Sequence, residues 1–183
     1  LFIDTPDHRR MVGSIYKGRV QNVIPGMQAA FIDIGYDLNA FLPFSEIGNS
    51  DNLKNLSFDD NDQNKKINIK SKDLHSNLKI NDDILVQVIK EPFSGKGPRV
   101  TTDISIPGSL MVLVPNENYI GISRKINDKY EKRRLRKIAE KFKPSGFGLI
   151  IRTIAEGLDE DKLITDYNKI WKMWKSVESK SKT

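Results

Sequence analysis

The sequence predicts an α+β fold in which a five-stranded β-barrel precedes a small mixed α/β region. Two observations support this prediction. Apolar and polar residues alternate from Val12 to Leu42 and again after a long polar interruption, whereas the apolar period becomes helical beyond Pro107. With 183 residues, of which 38% are hydrophobic, the chain can bury one or two cores. Its length therefore allows one mixed domain or two small ones.

Five strands are expected in the first region. The first alternates from about Val12, with Ile15, Lys17, Arg19, Gln21 and Val23 on one face and Tyr16, Gly18, Val20, Asn22 and Ile24 on the other. The others are expected at Ala29 to Ile34, Ala40 to Leu42, Ile84 to Ile89 and Arg99 to Ile104. Between them, Gly48 to Asn81 is rich in Asn, Asp, Lys and Ser, which is typical of a flexible excursion. Five strands with one excursion favour an OB barrel, whose exposed face commonly binds single-stranded nucleic acid.

The second region is expected to contain two strands and two helices. The strands are predicted at Leu110 to Val114 and Gly148 to Thr153, and the helices at Asn127 to Phe142 and Asp159 to Ser179. The last helix has an apolar side formed by Leu163, Tyr167, Ile170, Trp171, Trp174 and Val177. We interpret this side as a packing surface, because such a stripe is more often core than a base-stacking site.

Positive charge is concentrated in one segment. The net charge of +6 and the pI near 9.4 indicate an anionic partner. From Arg124 to Lys143 there are ten basic and three acidic residues, which gives +7 and leaves about −1 for the rest of the chain. Two interpretations stay open: a solvated helix face, or a surface that faces nucleic-acid phosphates.

Composition excludes several kinds of site. The chain has no cysteine, so it holds neither a disulfide nor a thiolate metal site. His8 and His75 have no spaced partners and are expected to be ordinary solvated side chains. No apolar run approaches the roughly 18 residues of a transmembrane helix. The start, "LFIDTPDHRR", lacks the pattern of a signal peptide, and we expect the chain to begin in mid-protein.

Several motifs together resemble one known family. They are, in chain order, "IYKGRVQNVIPGMQAAFIDIG", "AFLPFSEI", "ILVQVIKEPFSGKGPRVTT", "GSLMVLVPN", "GISRKI" and "GLIIRTIAEG". In this order they closely resemble the N-terminal part of the ribonuclease E/G family of endoribonucleases, over about Leu1 to Trp174. The resemblance implies the end of an RNase H-like segment at 1–11, an S1-type OB-fold domain at 12–104 with the excursion at 48–81, and a 5′-sensor-like α/β region at 105–183.

The resemblance implies two groups of site residues. Phe31, Phe41 and Lys96 match the RNA-contacting positions of the S1-type domain, and neighbouring Arg99 is expected to approach a phosphate. Ala30, Ile32 and Leu42 would then fill the barrel while the two rings face RNA. Gly108, Val112, Arg152 and Thr153 match the family's sensor for an RNA 5′-monophosphate. An Arg fork and a hydroxyl suit that ligand, because both donate hydrogen bonds to phosphate oxygens.

The resemblance also implies what lies outside these residues. The family hydrolyses RNA with Mg²⁺ held by aspartates in a later domain, and it joins subunits through a cysteine-bound Zn²⁺ further downstream. We expect the chain to end before both, so no catalytic or metal-binding residue is assigned and these residues alone are expected to be inactive. The implied protein binds single-stranded RNA, processes or degrades rRNA and mRNA, and forms homo-oligomers in its full-length form.

The sequence also leaves one alternative function open and indicates a cellular location. The alternative is a non-enzymatic RNA-binding protein built on the same barrel, against which "GLIIRT" argues, because such a protein needs no phosphate sensor. The frequent Asn, Lys and Ile suggest an AT-rich genome. A bacterial-type ribonuclease in such a genome indicates a plastid stroma, with a bacterial cytoplasm as the alternative.

Overall fold

The structure is a computed structural model that describes residues 10–48 and 78–181. These residues divide into two compact units. We call residues 10–48 and 78–103 the barrel unit and residues 104–181 the α/β unit. The predicted excursion falls largely in 49–77, which, like His8 and His75, lies outside the described residues.

The barrel unit is a closed five-stranded barrel with the strand order β1-β2-β3-β5-β4. Only the contact of β3 with β5 is parallel, and the other neighbours are antiparallel. This topology confirms the predicted five-stranded barrel. The strands are β1 (Ile15–Ile24), β2 (Ala29–Asp33), β3 (Ala40–Pro43), β4 (Asp83–Lys90) and β5 (Arg99–Thr101).

The barrel core follows from strand alternation. In β2 and β3, the side chains of Ala30, Ile32 and Leu42 are completely buried and belong to one apolar cluster. Phe31 and Phe41 lie between these positions and are only partly buried. Because successive side chains of a strand point to opposite faces, the burial of the first set places the two rings on the outer face. The expected division of these residues between core and surface is confirmed.

A β-bulge corrects the predicted faces of β1. Val20 pairs with Ile32, whereas Asn22 already pairs with Phe31, so one extra residue lies between them in β1. The bulge turns Val23 towards the core that also holds Val20, although the sequence placed these two valines on opposite faces. The prediction was wrong here because a single inserted residue reverses every later side chain of the strand.

The last barrel strand is shorter than predicted. β5 ends at Thr101 and does not reach Ile104. The Thr101 hydroxyl, the Thr102 hydroxyl and the Thr102 N–H all donate to the carbonyl oxygen of Glu46, at 3.2, 3.1 and 3.0 Å. These bonds end the strand, because the N–H of Thr102 is bonded to Glu46, in the segment after β3, and not to a neighbouring strand.

The α/β unit contains a four-stranded sheet in the order β6-β7-β9-β8 and two helices. Neither β6 nor β8 was predicted, since two or three residues show no measurable alternation. β9 ends one residue before Arg152, so the predicted strand end at Thr153 was wrong, and Thr153 begins a short 3-10 turn. The elements are β6 (Ile106–Pro107), β7 (Met111–Pro115), β8 (Ile120–Ile122), α1 (Lys129–Phe142), β9 (Phe147–Ile151) and α2 (Glu160–Ser181).

Both helices form where the sequence predicted them. The Asp128 side chain caps α1 by accepting a hydrogen bond from the N–H of Tyr130 at 2.8 Å. In α2, the rings of Trp171 and Trp174 pack edge-on against Phe147, with centroids 5.2 and 5.8 Å away. These contacts confirm the packing interpretation of the two tryptophans. Neither helix of the described residues is both long and apolar enough to cross a membrane.

Glu131 joins α1 to the segment that follows β9. Its carboxylate accepts two hydrogen bonds from Arg134 at 2.7 Å and one from the N–H of Gly157 at 2.8 Å. Arg134 in turn donates to the carbonyl oxygen of Leu158 at 2.9 Å. The hydrogen bonds from Arg134, and secondarily the one from Gly157, lower the pKa of Glu131 to about 2, against an opposing effect of burial. The carboxylate is therefore charged in the folded protein at any ordinary pH.

We expect Glu131→Gln to destabilise the protein by about 2 kcal/mol at neutral pH, because charge-assisted hydrogen bonds are lost. The pKa of Glu131 is lowered on folding from 4.5, so its stabilisation is present above about pH 4.5 and disappears as the pH falls towards 2. Urea unfolding of wild type and variant at several pH values measures this. The difference between them should shrink on acidification, whereas a constant difference would contradict the ion-pair account.

The matched control is Glu140→Gln, which removes an exposed carboxylate from the same helix. Since an exposed charge without a fixed partner contributes little, this variant should unfold at nearly the wild-type urea concentration throughout.

Candidate functional site

Two aromatic rings lie side by side on the outer face of the barrel unit. Phe31 of β2 and Phe41 of β3 are direct cross-strand partners. Their ring centroids are 5.8 Å apart and their planes make an angle of 60°, so the rings contact edge to face. Both keep part of their surface accessible, and this geometry offers two neighbouring apolar platforms on which unpaired bases can stack.

The two rings belong to a transverse row of residues that are in register across the whole barrel. Cross-strand partners lie on the same face of a sheet, so the row presents its side chains together. Cations end the row on one side, next to the aromatic pair. The row runs Asn22, Phe31, Phe41, Arg99 and Lys90, from β1 through β2, β3 and β5 to β4.

Arg99 lies in this row but is partly committed to the protein. One of its terminal nitrogens donates to the Glu46 carboxylate at 3.2 Å, and its side chain is 37% exposed. Its Nε is buried and has no hydrogen-bond partner among the described residues. The guanidinium is thus fixed beside Phe41, with donors that Glu46 does not use. Lys90, which the sequence analysis missed, is the more exposed cation of the row.

Lys96 projects from a tight turn between β4 and β5. The turn is closed by a reciprocal pair of backbone hydrogen bonds between Phe93 and Lys96, at 3.1 and 3.0 Å. Ser94 and Gly95 both have positive φ, 50° and 73°, as a two-residue hairpin turn requires. The Lys96 side chain is exposed and makes no ion pair with the described residues. It is available to an anionic ligand.

A second candidate site is a cleft on the α/β unit. β8 and β9 run parallel, so their carboxyl ends meet at one edge of the sheet, and the N–H of Ser123 donates to Ile151 there at 2.9 Å. Arg152 and Thr153 follow β9 at the same edge. The lining residues are Ser109, Ser123, Lys125, Ile150, Ile151, Arg152, Thr153 and Ile154.

Arg152 is held in place over this cleft by two carbonyl oxygens. One of its terminal nitrogens donates to Gly108 at 3.0 Å and to Ser109 at 3.3 Å. The residue is otherwise exposed, so its remaining N–H groups are available. The Thr153 hydroxyl is 2.7 Å from that of Ser123, which holds two hydroxyl groups together in the cleft that Arg152 also lines. Such a set of donors suits a phosphate group.

The other two predicted sensor residues lie beside the cleft and do not line it. Gly108 supplies the carbonyl that holds Arg152, and a Cβ there would collide with the carboxylate of Asp166 and with Ile170. This collision gives Gly108 a packing reason for its small size. Val112 is the cross-strand partner of Ile150, so its side chain lies one strand away from the cleft residues.

Asp166 fixes the loop that holds Arg152, and the sequence analysis missed it. It is a buried carboxylate on α2 that accepts hydrogen bonds from the N–H groups of Ser109, Leu110 and Met111, at 3.0, 2.8 and 3.3 Å. A signal was present in the sequence. Asp166 interrupts the apolar side of α2 next to Tyr167, where a charged residue needs a specific partner.

Two more cleft residues were missed, Ser123 and Lys125. Both belong to "GISRKI", which contributed to the family resemblance; Ser123 received no role, and Lys125 was counted only with the basic segment from Arg124 to Lys143. Their position depends on β8 lying parallel to β9, and three residues of β8 did not predict a strand. Lys125 adds a second cation to the cleft that contains Arg152.

The basic segment is divided between structural and exposed positions. Arg134 is paired with Glu131, Lys141 with Glu160, and Lys143 donates to the oxygen of Asn118. In contrast, Lys129, Arg133 and Lys137 are exposed and make no side-chain bond to the described residues. Part of the charge therefore stabilises the fold, and the choice between a solvated face and a phosphate-facing surface applies to the remainder.

A metal ion in a protein needs several side-chain ligands that converge on one point. In 10–48 and 78–181, no group of three or more acidic or histidine side chains is placed to hold a metal ion. These residues do not fit the Mg²⁺ that the resemblance implies for the complete enzyme, and the chain has no cysteine for Zn²⁺. No step of a reaction is therefore assigned to this chain.

Comparison with known proteins agrees with the two units. Residues 9–100 match the S1 RNA binding domain, and residues 105–183 match the Ribonuclease E/G family. Ribonuclease G of Salmonella typhimurium is 37% identical over 182 residues, which cover 100% of this chain and 36% of that protein. Ribonuclease E of Synechocystis is 37% identical over 175 residues, 95% of this chain and 24% of that protein.

Among solved structures, a putative exosome complex RNA-binding protein aligns with 89% of this chain and 84% of its own, at 18% identity and a TM-score of 0.31. That likeness is too low to support an argument. The chain spans about a third of the length of the ribonuclease G that it matches. On the sequence matches, the chain contains an S1 RNA binding domain and belongs to the ribonuclease E/G family, of which it represents an N-terminal portion.

Proposed function

We propose that this chain is the RNA-binding and 5′-monophosphate-sensing part of a Mg²⁺-dependent, single-strand-specific endoribonuclease that processes or degrades rRNA and mRNA. The observation that supports it best is the pair of outward rings, Phe31 and Phe41, in register on a barrel that matches the S1 RNA binding domain. Bases of any sequence can stack on such rings, since every base has an aromatic face.

The barrel would bind RNA by alternating two kinds of contact. Phe31 and Phe41 would each stack on an unpaired base, while Lys96 and the spare donors of Arg99 would contact the phosphates. Because neither contact reads the edge of a base, this surface would bind single strands with little sequence preference. Its affinity would fall as salt rises, since counterions are released from the RNA on binding.

The cleft of the α/β unit would recognise the RNA 5′ end. A terminal monophosphate has more negative charge and more acceptor oxygens than an internal phosphate, so it can use several donors at once. Arg152, Thr153 and Lys125 supply a guanidinium, a hydroxyl and an ammonium group at one place. Gly108 and Val112 would serve this site through the backbone that supports Arg152 and its strand.

Further properties of the complete protein are part of the proposal. Its Mg²⁺ and Zn²⁺ would be held by residues outside this chain, and the complete protein would be a homo-oligomer, as the family resemblance implies. We place it in a plastid stroma, with a bacterial cytoplasm as the alternative. The relative in Synechocystis supports either location, because plastids and cyanobacteria share ancestry.

A non-enzymatic S1-type RNA-binding protein is the second candidate. The barrel alone would suit it equally well. The supported Arg152 beside two hydroxyl groups favours the nuclease, since a protein that binds RNA only along its strand has no use for a phosphate cleft at a sheet edge.

We expect Phe31→Ala to weaken binding of an unstructured RNA oligonucleotide by about tenfold or more. Loss of base stacking costs about 1 to 3 kcal/mol per base. Fluorescence anisotropy with a labelled oligonucleotide measures the affinity, and Phe31→Tyr, which keeps the ring, should bind almost as wild type does. Wild-type affinity in a folded Phe31→Ala protein would exclude the stacking role.

Binding to RNA with a 5′-monophosphate should be about tenfold tighter than binding to the same RNA with a 5′-hydroxyl. A hydrogen bond to a charged group contributes about 1.5 to 3 kcal/mol, and an exposed cleft lies at the lower end. Arg152→Gln should abolish this preference and leave the affinity for 5′-hydroxyl RNA nearly intact, because the barrel supplies it.

The control for this experiment is Lys172→Gln, which removes one exposed positive charge from α2 of the same unit. It should keep the tenfold preference. Equal binding of the two RNA ends by wild type at moderate salt would contradict the sensor assignment for this chain.

Residues 1–183 by themselves are expected not to hydrolyse RNA when Mg²⁺ is added, since cleavage by this route needs a held metal ion. Gel electrophoresis of labelled RNA after long incubation gives the answer. Cleavage that copurifies with the chain and stops with EDTA would disprove this expectation.

A further inference from the structure

Phe93 is one of the two most exposed large apolar side chains in the described residues. It is 81% exposed, as is Tyr130 of α1, and no ring contact of Phe93 is found within that part of the chain. Single exposed apolar residues are common on proteins, so exposure alone does not indicate a binding site. The position of this ring within the barrel unit does indicate one.

The turn that holds Phe93 is tightly constrained. Phe93 and Lys96 exchange both backbone hydrogen bonds across only two residues, Ser94 and Gly95. Bridged partners on neighbouring strands have their side chains on the same face. The ring of Phe93 and the ammonium group of Lys96 therefore point to the same side of the turn, and the bridge holds their two backbone positions opposite each other.

The base of this turn is anchored to the strand that presents Phe41. The N–H of Phe41 donates to the carbonyl oxygen of Pro98 at 2.8 Å. A Cβ on Gly97 would overlap the carbonyl group of Asn39, the residue just before β3. Only glycine therefore lets the chain after the turn approach the start of β3 this closely. From there the chain enters β5, whose Arg99 is the register partner of Phe41. The turn thus starts at the edge of the transverse row.

We propose that Phe93 is a third base-stacking ring, which binds one more unpaired nucleotide beside the site formed by Phe31 and Phe41. Lys96, on the same side of the turn, contacts the phosphate of the nucleotide that stacks on Phe93. This inference rests on the proposed RNA-binding function and extends its footprint. Stacking suits this position physically, because a ring that is 81% exposed among the described residues gives up few contacts on binding and has only two side-chain torsions to fix.

The test measures RNA affinity of Phe93→Ala, Phe93→Tyr and the control Ile80→Ala, which shortens another exposed apolar residue of the barrel unit. With an unstructured RNA of about twelve nucleotides, Phe93→Ala should bind about five- to tenfold more weakly. Phe93→Tyr and Ile80→Ala should bind as wild type does. Circular dichroism and urea unfolding establish that every variant is folded.

The salt dependence separates the two parts of the proposal. Phe93→Ala should keep the wild-type slope of log affinity against log salt, because stacking releases no counterions. Lys96→Gln should reduce that slope by about 0.7, the amount for one phosphate contact on a single strand. A changed slope in Phe93→Ala would mean that the ring acts by positioning a charge, and this would overturn the stacking assignment.

The comparison with Phe31→Ala separates this inference from the proposed function. If Phe31→Ala binds RNA more weakly and Phe93→Ala binds as wild type does, the third ring is disproved while the RNA-binding function stands. A Phe93 ring that serves a protein partner instead would give this same result. If wild type itself fails to bind the oligonucleotide, the proposed function and the inference fall together.

Discussion

Barrel closure depends on β5, a strand of three residues that joins β3 to β4. Its contact with β3 is a single parallel bridge between Phe41 and Arg99, and Gly97 lets the chain approach β3 at that point. Closure fixes the register of all five strands, and register decides which side chains are buried. The register therefore determines both the burial of Ile32 and Leu42 and the partial exposure of the neighbouring rings. A slip of one residue would bury the rings and expose the core.

In the α/β unit, one buried side chain, the carboxylate of Asp166, determines how a site residue is placed. The Asp166 carboxylate accepts from three consecutive N–H groups, two in the loop after β6 and one at the first residue of β7, and two carbonyl oxygens of that loop hold Arg152. Removal of the carboxylate would leave the buried N–H of Met111 unsatisfied, which costs about 1 to 3 kcal/mol, and would release the two more accessible N–H groups of Ser109 and Leu110. Arg152 is therefore oriented by a residue of α2 that does not itself line the cleft.

The sequence predicted those parts of the fold that repeat a pattern over several residues. The β2 and β3 hairpin was predictable because apolar residues alternate through it, and both helices were predictable from their period. The bulge in β1 was not, because the extra residue is polar and fits a regular strand equally well. The cleft was only half predicted: Arg152 and Thr153 came from the family resemblance, whereas Ser123 and Lys125 depend on the parallel contact between β8 and β9.

Under the proposed function, the barrel would supply affinity for RNA and the cleft would supply selectivity for its 5′ end. Discrimination between two RNA molecules is a difference of their binding free energies, so any contact made equally to both cancels. Stacking on Phe31 and Phe41 and contacts to internal phosphates would be the same for either RNA end. A tighter barrel would therefore raise the affinity for every single strand without improving the choice of the 5′ end. Under the proposed function, selectivity would be set by the cleft around Arg152, and the small donor set there would limit it to the few charge-assisted hydrogen bonds that a terminal phosphate adds.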